Sequence, residues 1–212
     1  YVDCDMICLK DPFIEISELS RNLIESEYAL AARKEKFDTI EMEKIIKNLQ
    51  LSSSKYMNAG LLIIDVNKWI NGNLTQKLCE KLLQIENNII YWDQDVFNAY
   101  LDGKFYELPE SLNCYTNLED NLIVREEIKI VHFYGNKKPW TTKGILNKKS
   151  TYYQDMYRKL GLGSYHITHK RRRESVKHLI IGIFNLKIIY IKKPISFLKD
   201  FLASLSKKPN II

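Results

Sequence analysis

No run of apolar residues in this 212-residue chain reaches the roughly 18 that a membrane-spanning helix needs. The most apolar stretch, 176–191, is broken by Lys177, His178, Asn185 and Lys187, so no transmembrane helix is expected. Glycine and proline are sparse, at eight and five residues, which excludes a linker-rich architecture. The four cysteines, Cys4, Cys8, Cys79 and Cys114, show neither C-x-x-C nor framework spacing. Reduced, buried thiols are therefore expected rather than a disulfide scaffold. No initiator methionine and no signal peptide open the chain. Tyr1 falls inside a strand-like stretch, and the expectation is that an N-terminal part precedes it.

What is present reads as a globular protein. Hydrophobic residues make up 45% and charged residues 27%, which rules out wholesale disorder and a fibrous repeat. Thirteen tyrosines and eight phenylalanines supply a core and the walls of a polar-ligand cleft. The net charge of +6 hides an asymmetry: residues 1–147 carry 17 basic against 23 acidic side chains, and residues 148–212 carry 15 against 3. An acidic body with a basic tail points to two tasks, and the tail is the part suited to phosphates on a membrane surface or a nucleic acid.

Periodicity places short extended pieces at 1–3 and 6–9, and helices at 14–23 and 39–49. The continuous apolar run 60–66 reads as a strand buried on both faces. Helices follow at 74–89, with Asn73 as a candidate cap, and at 93–101, stopped by Asp102 and Gly103. Strands are expected at 104–108 and 127–133, and a helix at 152–160. Strands alternating with helices give an α/β class with a mixed or mostly parallel sheet. In such sheets ligands sit beyond the carboxyl ends of strands, where the chemistry-bearing residues of this chain fall.

Asp3 and Asp5 put two carboxylates one residue apart after an apolar strand start, an oxygen donor pair suited to Mg²⁺ or Mn²⁺. A solvated turn is the bland alternative. His132 ends a strand within HFYGNKKPW (132–140), where an imidazole ligand and a core histidine are both open readings. In the same motif Gly135 permits close backbone approach, and Lys138 offers an ammonium to a phosphate. Asn58 and Ala59 sit in YMNAG (56–60), at a strand entrance where the asparagine amide suits hydroxyl recognition or a simple turn. Asp93 and Gln94 open a helix in WDQD (92–95), where Asp93 is either an N-cap or a carboxylate turned into a cleft.

The segments YVDCD (1–5), YMNAGLLIIDVNKW (56–69), DQDVFNA (93–99), LPESLN (108–113) and HFYGNKKPW (132–140) occur in that order. Together they resemble glycosyltransferase family 8, which includes lipopolysaccharide galactosyl- and glucosyltransferases and the glycogenins. The resemblance covers roughly residues 1–145. It implies a GT-A-like mixed sheet flanked by helices, here expected to lack the first nucleotide-binding strand–helix unit and to end in a basic helical tail. It also implies a UDP-galactose or UDP-glucose donor, a glycan or glycolipid acceptor such as lipopolysaccharide or lipooligosaccharide, and retention of anomeric configuration. The implied cofactor is Mn²⁺, with Mg²⁺ as the alternative. Carried over residue by residue, Asp3, Asp5 and His132 match the metal ligands, and Gly135 and Lys138 match positions approaching the diphosphate. Asn58, Ala59, Asp93 and Gln94 match the donor-sugar pocket, with Gln94 under the anomeric carbon and Asp93 on sugar hydroxyls as the catalytic pair.

One departure concerns a carboxylate that many members carry about 25–30 residues after the paired aspartates. The corresponding stretch here, 29–34, has none and contains Arg33. The chain thus reads as a partial catalytic domain over 1–147 and a basic amphipathic region over 148–212. In the latter, Phe197, Leu198, Phe201, Leu202 and Leu205 recur at helical spacing, fitting a peripheral anchor on the inner face of a bacterial cytoplasmic membrane. An ordinary helical subdomain with a solvated basic face is the alternative. Nucleic-acid binding ranks below both, since charge alone supports it. A non-catalytic transferase remnant and a basic membrane-binding module are the rival readings of the whole.

Overall fold

A computed structural model describes residues 1–115, 126–135 and 137–207. The chain divides into two compact units. Among the described residues, Tyr1–Cys114 and Glu127–Ile130 form the first, and 115, 126, 131–135 and 137–207 the second.

The first unit is built on a three-stranded sheet in the order β3 (Met57–Ile64), β2 (Leu30–Lys34), β4 (Tyr106–Glu107). β2 runs antiparallel to β3 and parallel to β4. Period-two alternation sends Leu30 and Ala32 to one face, into a core with Met57, Leu62, Leu101 and Phe105. Ala31 faces the other way, into a core with Leu23, Leu61, Leu108 and Leu112. Both faces are covered, as the apolar run predicts. The strand starts at Met57, so all of the YMNAG motif except Tyr56 lies within it and does not merely precede it. It stops at Ile64 because Asp65 caps the next helix, α3 (Val66–Asn71), its side chain accepting from the Lys68 N–H at 3.1 Å.

β3 carries a bulge. Ala32 opposes Leu62, yet its neighbour Arg33 opposes Asn58. Residues 59–61 are therefore extra on β3, and the inward-facing parity switches from Met57 and Ala59 to Leu62 and Ile64. The chain start uses this irregularity: Val2 bridges Leu61, the Leu62 N–H donates to the Tyr1 carbonyl at 3.0 Å, and the Asp3 N–H donates to the Gly60 carbonyl at 2.8 Å. The bulge thereby fixes where Asp3 begins.

The helices of this unit follow the periodicity. α1 is Phe13–Glu25 and α2 is Thr39–Leu49, the latter capped by the Asp38 side chain on the Glu41 N–H at 2.8 Å. α4 spans Leu74–Ile85 and passes into a short 3₁₀ turn, Glu86–Asn88, ending earlier than the expected 89. Asn73 sits at its N-cap in the left-handed region, but its side chain turns to Gln76 and leaves the helix amides uncapped. α5 is Asp93–Leu101, ended by Asp102 at φ 45°. A third core packs Ile45, Leu49, Tyr56, Ile85 and Val96 together.

A second sheet has the order β1 (Met6–Cys8), β6 (Ile130–His132), β5 (Cys114–Tyr115). β4 and β6 are shorter than the expected 104–108 and 127–133.

The second unit contains α6 (Thr142–Ile145), α7 (Ser150–Lys159), α8 (Arg172–Phe184) and α9 (Pro194–Ser206). Its core gathers Ile145, Leu146, Tyr165, Leu179, Ile191, Phe197 and Phe201. The predicted spacing of Phe197 and Phe201 is the buried stripe of α9, while Leu202 on the same helix is exposed. Among the described residues no helix is long and apolar enough to cross a membrane. The cysteines depart from expectation: all four are free, but only Cys114 is buried, and Cys4, Cys8 and Cys79 are exposed. Cys4 lies in a turn and Cys8 ends β1, both outside the core clusters.

Candidate functional site

Asp3 and Asp5 lie in the first unit and His132 in the second. Asp5 and His132 are buried and Asp3 is half-buried. Two carboxylates and an imidazole suit Mn²⁺ or Mg²⁺ better than a soft metal. The Tyr1 hydroxyl donates to Asp3 Oδ1 at 2.6 Å. That bond, with burial and the charges of Asp3 and Asp93, pushes the tyrosine up to about 12. His132 is edge-on to Tyr115 and Tyr134, at ring separations of 5.8 and 5.9 Å, and those two tyrosines stack on each other at 5.1 Å. The imidazole is thus braced by aromatic rings.

Asn58 is a fully engaged amide, 1% exposed. Its Nδ2 donates to Glu35 Oε1 at 2.8 Å and to Gln94 Oε1 at 3.2 Å. Its Oδ1 accepts from the Gly60 N–H at 3.0 Å and from Asn113 Nδ2 at 2.8 Å. Gln94 Oε1 also accepts from the Ala59 N–H at 3.1 Å. The bulge in β3 is what aims the Ala59 amide at α5. Around this hub the network continues: the Tyr56 hydroxyl donates to Asp95 Oδ1 at 2.5 Å, and Asp95 Oδ2 accepts from the Ile90 and Tyr91 N–H groups at 2.6 and 2.7 Å. Burial and the Asp95 hydrogen bond hold the Tyr56 hydroxyl far above the usual phenol range.

Asp93 is exposed at the first position of α5. Trp92 occupies the cap, so the N-cap reading of Asp93 does not hold. Gly135 adopts φ 75°, a conformation that favours glycine. The Lys138 ammonium donates to the Phe133 carbonyl at 3.2 Å.

Several site residues escape sequence reasoning. Glu35 is buried against Asn58 and lies one residue beyond the stretch read as lacking a carboxylate. Arg33, 3% exposed, donates to the Asn113 carbonyl and pairs with Glu110 at 3.3 Å. Asn113 and Asp95 both stand in the quoted motifs LPESLN and DQDVFNA, and their fixed place there is the signal that could have found them.

Comparison with known proteins bears on this arrangement. The family model described as Glycosyl transferase family 8 matches residues 1–144. General stress protein A of Bacillus subtilis is 31% identical over 157 residues, 67% of this chain and 52% of the relative. A putative glycosyltransferase of Haemophilus influenzae is 32% identical over 58% of this chain and 39% of its own length. A lipopolysaccharide 1,2-glucosyltransferase of Escherichia coli is 28% identical over 66% and 43% respectively. The chain thus spans about half the length of these relatives or less. A crystal structure of the galactosyltransferase LgtC with donor and acceptor sugar analogues has a TM-score of 0.54 at 18% identity, covering 82% of this chain and 64% of that one. At that identity the likeness is one of fold.

Proposed function

Because the chain belongs to glycosyl transferase family 8 and has a GT-A-like fold, we propose that it is the catalytic part of a retaining hexosyltransferase. It moves galactose or glucose from a UDP-sugar to a glycan acceptor such as lipopolysaccharide or lipooligosaccharide, with Mn²⁺ held by Asp3, Asp5 and His132. The observation that carries this reading is the family match over residues 1–144, a span that contains all three of those side chains. When bound, the ion supplies Lewis acidity that offsets the charge developing on a departing diphosphate.

The chain's own residues account for the rest. The bond between the anomeric carbon and the diphosphate breaks with its electron pair going to UDP. The acceptor hydroxyl forms its new bond on the same face and passes its proton to the leaving diphosphate oxygen. Lys138 and the Gly135 backbone receive that diphosphate. Gln94 contributes an oriented amide. Its Oε1 already accepts from Ala59 and Asn58, which makes it a fixed dipole beneath the sugar and unsuited to covalent attack. Asp93, exposed at the opening of α5, accepts from sugar hydroxyls. Asn58 positions Gln94, and holding two substrates together supplies much of the remaining rate.

The basic second unit is proposed to rest on the inner face of the bacterial cytoplasmic membrane. Phe184, Leu186, Ile189 and Ile195 are 83%, 67%, 70% and 84% exposed, with Lys187, Lys192 and Lys193 among them. Apolar side chains interleaved with cations suit an anionic lipid surface. Flotation with phosphatidylglycerol vesicles, compared with phosphatidylcholine, tests this.

Calorimetry with UDP and Mn²⁺, and transfer from UDP-galactose and UDP-glucose to de-acylated lipooligosaccharide, test the enzymatic reading. Binding and transfer are expected and are expected to vanish in Asp3→Ala. Equal metal-dependent binding by Asp3→Ala would overturn the metal assignment.

A further inference from the structure

Trp92 combines two features that do not belong together. Its indole is 81% exposed, and among the described residues no ring stacks on it and no hydrogen bond holds it. Yet its backbone sits at φ 52°, ψ −129°, a region in which glycine is at ease and a bulky residue is strained by roughly 1–3 kcal/mol. A single exposed hydrophobic residue needs no explanation. A tryptophan that gains no packing and occupies a glycine-type conformation does.

The turn is over-determined from beneath. Asp95 takes both the Ile90 and Tyr91 N–H groups, and the Tyr91 carbonyl accepts from the Gln94 N–H at 3.1 Å. The Tyr91 ring stacks on Phe37 at 5.9 Å, and its hydroxyl donates to Glu41 at 2.8 Å. None of these bonds is made by the indole, so the turn is fixed without using the ring. The next residue, Asp93, is exposed at the opening of α5, and the one after that, Gln94, turns inward to Ala59. Trp92 therefore directly precedes the two residues that the proposed function places on the donor sugar.

We propose that Trp92 is the stacking platform of a saccharide subsite, which receives the apolar face of the acceptor hexopyranoside beside Asp93. This rests on the transferase reading above. A pyranose presents C–H groups on one face and hydroxyls at its edge. A rigid indole covers the first at low entropic cost, and an adjacent carboxylate takes the second. The backbone strain is the cost of presenting the ring at a fixed angle.

The full chain labelled with 5-fluorotryptophan gives one ¹⁹F signal for each of its three tryptophans, the Trp92 signal being assigned by its loss in Trp92→Phe. Methyl β-galactopyranoside, methyl β-glucopyranoside and lactose are titrated with and without UDP and Mn²⁺. At least one saccharide is expected to shift the Trp92 signal while leaving those of Trp69 and Trp140 in place. Trp92→Gly is expected to bind that saccharide about five- to tenfold more weakly, the loss of one stacked ring, while Trp92→Phe retains most of the affinity. Trp92→Gly relieves strain, so its melting temperature is expected to be unchanged or higher, which separates a lost subsite from misfolding. A Trp92 signal unmoved by all three saccharides, or undiminished binding by Trp92→Gly, overturns the subsite. Loss of UDP–Mn²⁺ binding by the unsubstituted chain would instead overturn the transferase reading.

Discussion

The side-chain amide of Asn98 closes onto the backbone of Met57, accepting from its N–H at 2.7 Å and donating to its carbonyl at 2.9 Å. A third bond, to the Gln94 carbonyl at 2.8 Å, ties the same amide into its own helix. Asn98 thus completes the open edge of β3 and sets the depth at which α5 presents Gln94. Asn98→Ala leaves a buried N–H and a buried carbonyl without partners, and a loss of about 2–4 kcal/mol is expected. Urea denaturation checks this. Asn98→Asp keeps the acceptor for the Met57 N–H but turns an oxygen on its carbonyl, and is expected to be no milder.

Asn58 makes a sharper case, because its bonds run to groups assigned to the donor pocket. Asn58→Asp would replace the donor facing Glu35 with a second carboxylate. Two acids at that distance do not both ionise readily. The variant is expected to be destabilised at neutral pH and to recover as the pH falls and one of the pair is protonated. That acid-side recovery, measured as melting temperature between pH 7 and 5, is the opposite of ordinary acid denaturation and identifies the contact.

Removing the proposed metal ligands one at a time tests the assignment of Asp3, Asp5 and His132. Each of Asp3→Ala, Asp5→Asn and His132→Ala is expected to weaken Mn²⁺ binding by more than about 100-fold, beyond the effect usual for an outer-shell partner. Paramagnetic titration of free Mn²⁺ reads this directly. His132→Ala also unpacks the Tyr115–Tyr134 pair, so its melting temperature is expected to fall, while Asp3→Ala, at a half-buried position, changes it little.

How much of this was legible in the sequence depended on the kind of signal. Helix 39–49 is readable from the apolar spacing of Ile40, Ile45, Ile46 and Leu49, and helix 93–101 from its stop at Asp102 and Gly103; the Asp38 cap of the first is a finding of the structure. Asp3, Asp5, His132, Asn58 and Gln94 stood out because they belong to ordered motifs. The bulge in β3 was not readable, since the run GLLII contains no cue that residues 59–61 leave the ladder with β2. Glu35 and Arg33 were missed for a related reason. Their burial is imposed by partners far along the chain, Asn58 for one and Glu110 and Asn113 for the other, and no local pattern announces a tertiary partner. The exposed Cys4, Cys8 and Cys79 run against the preference of cysteine for the interior, which decides nothing for a turn, a strand end or an outward helix face.

The second unit carries a pH-sensitive contact. His169 is buried, and its Nε2 meets the Ser204 hydroxyl at 2.6 Å. That hydroxyl donates to the Phe201 carbonyl, so the imidazole must be the donor through Nε2, leaving Nδ1 as a buried acceptor with no partner among the described residues. Burial, and then the charge of Arg172, hold its pKa below the usual histidine value of 6.5. A base whose folded pKa is depressed favours the fold while neutral. Its contribution is complete above about pH 6.5 and is lost as the pH falls through the lower folded value. The melting temperature is expected to drop over that window, and His169→Gln, which keeps a donor for Ser204 and cannot be protonated there, is expected to flatten the drop.

Gly144 offers the most stringent test of the Lys138 loop. A Cβ built at this position would lie 1.9 Å from the Lys138 carbonyl oxygen and 2.9 Å from that of Lys137. Both obstacles are backbone, so no side-chain rotation can relieve the clash. The Lys138 carbonyl is itself fixed, accepting from the Thr141 N–H at 3.0 Å and from the Thr141 hydroxyl at 2.8 Å, while Thr141 caps α6 on the Gly144 N–H at 3.2 Å. Gly144→Ala must therefore push the loop and the helix start apart. A loss of about 1–3 kcal/mol, the range for overpacking, is expected. If Lys138 receives the diphosphate as proposed, UDP affinity must fall along with stability. A Thr141→Val variant loosens the same turn without adding bulk and is expected to lower stability with a smaller effect on UDP. Calorimetry on both variants separates a displaced lysine from a merely weakened cap.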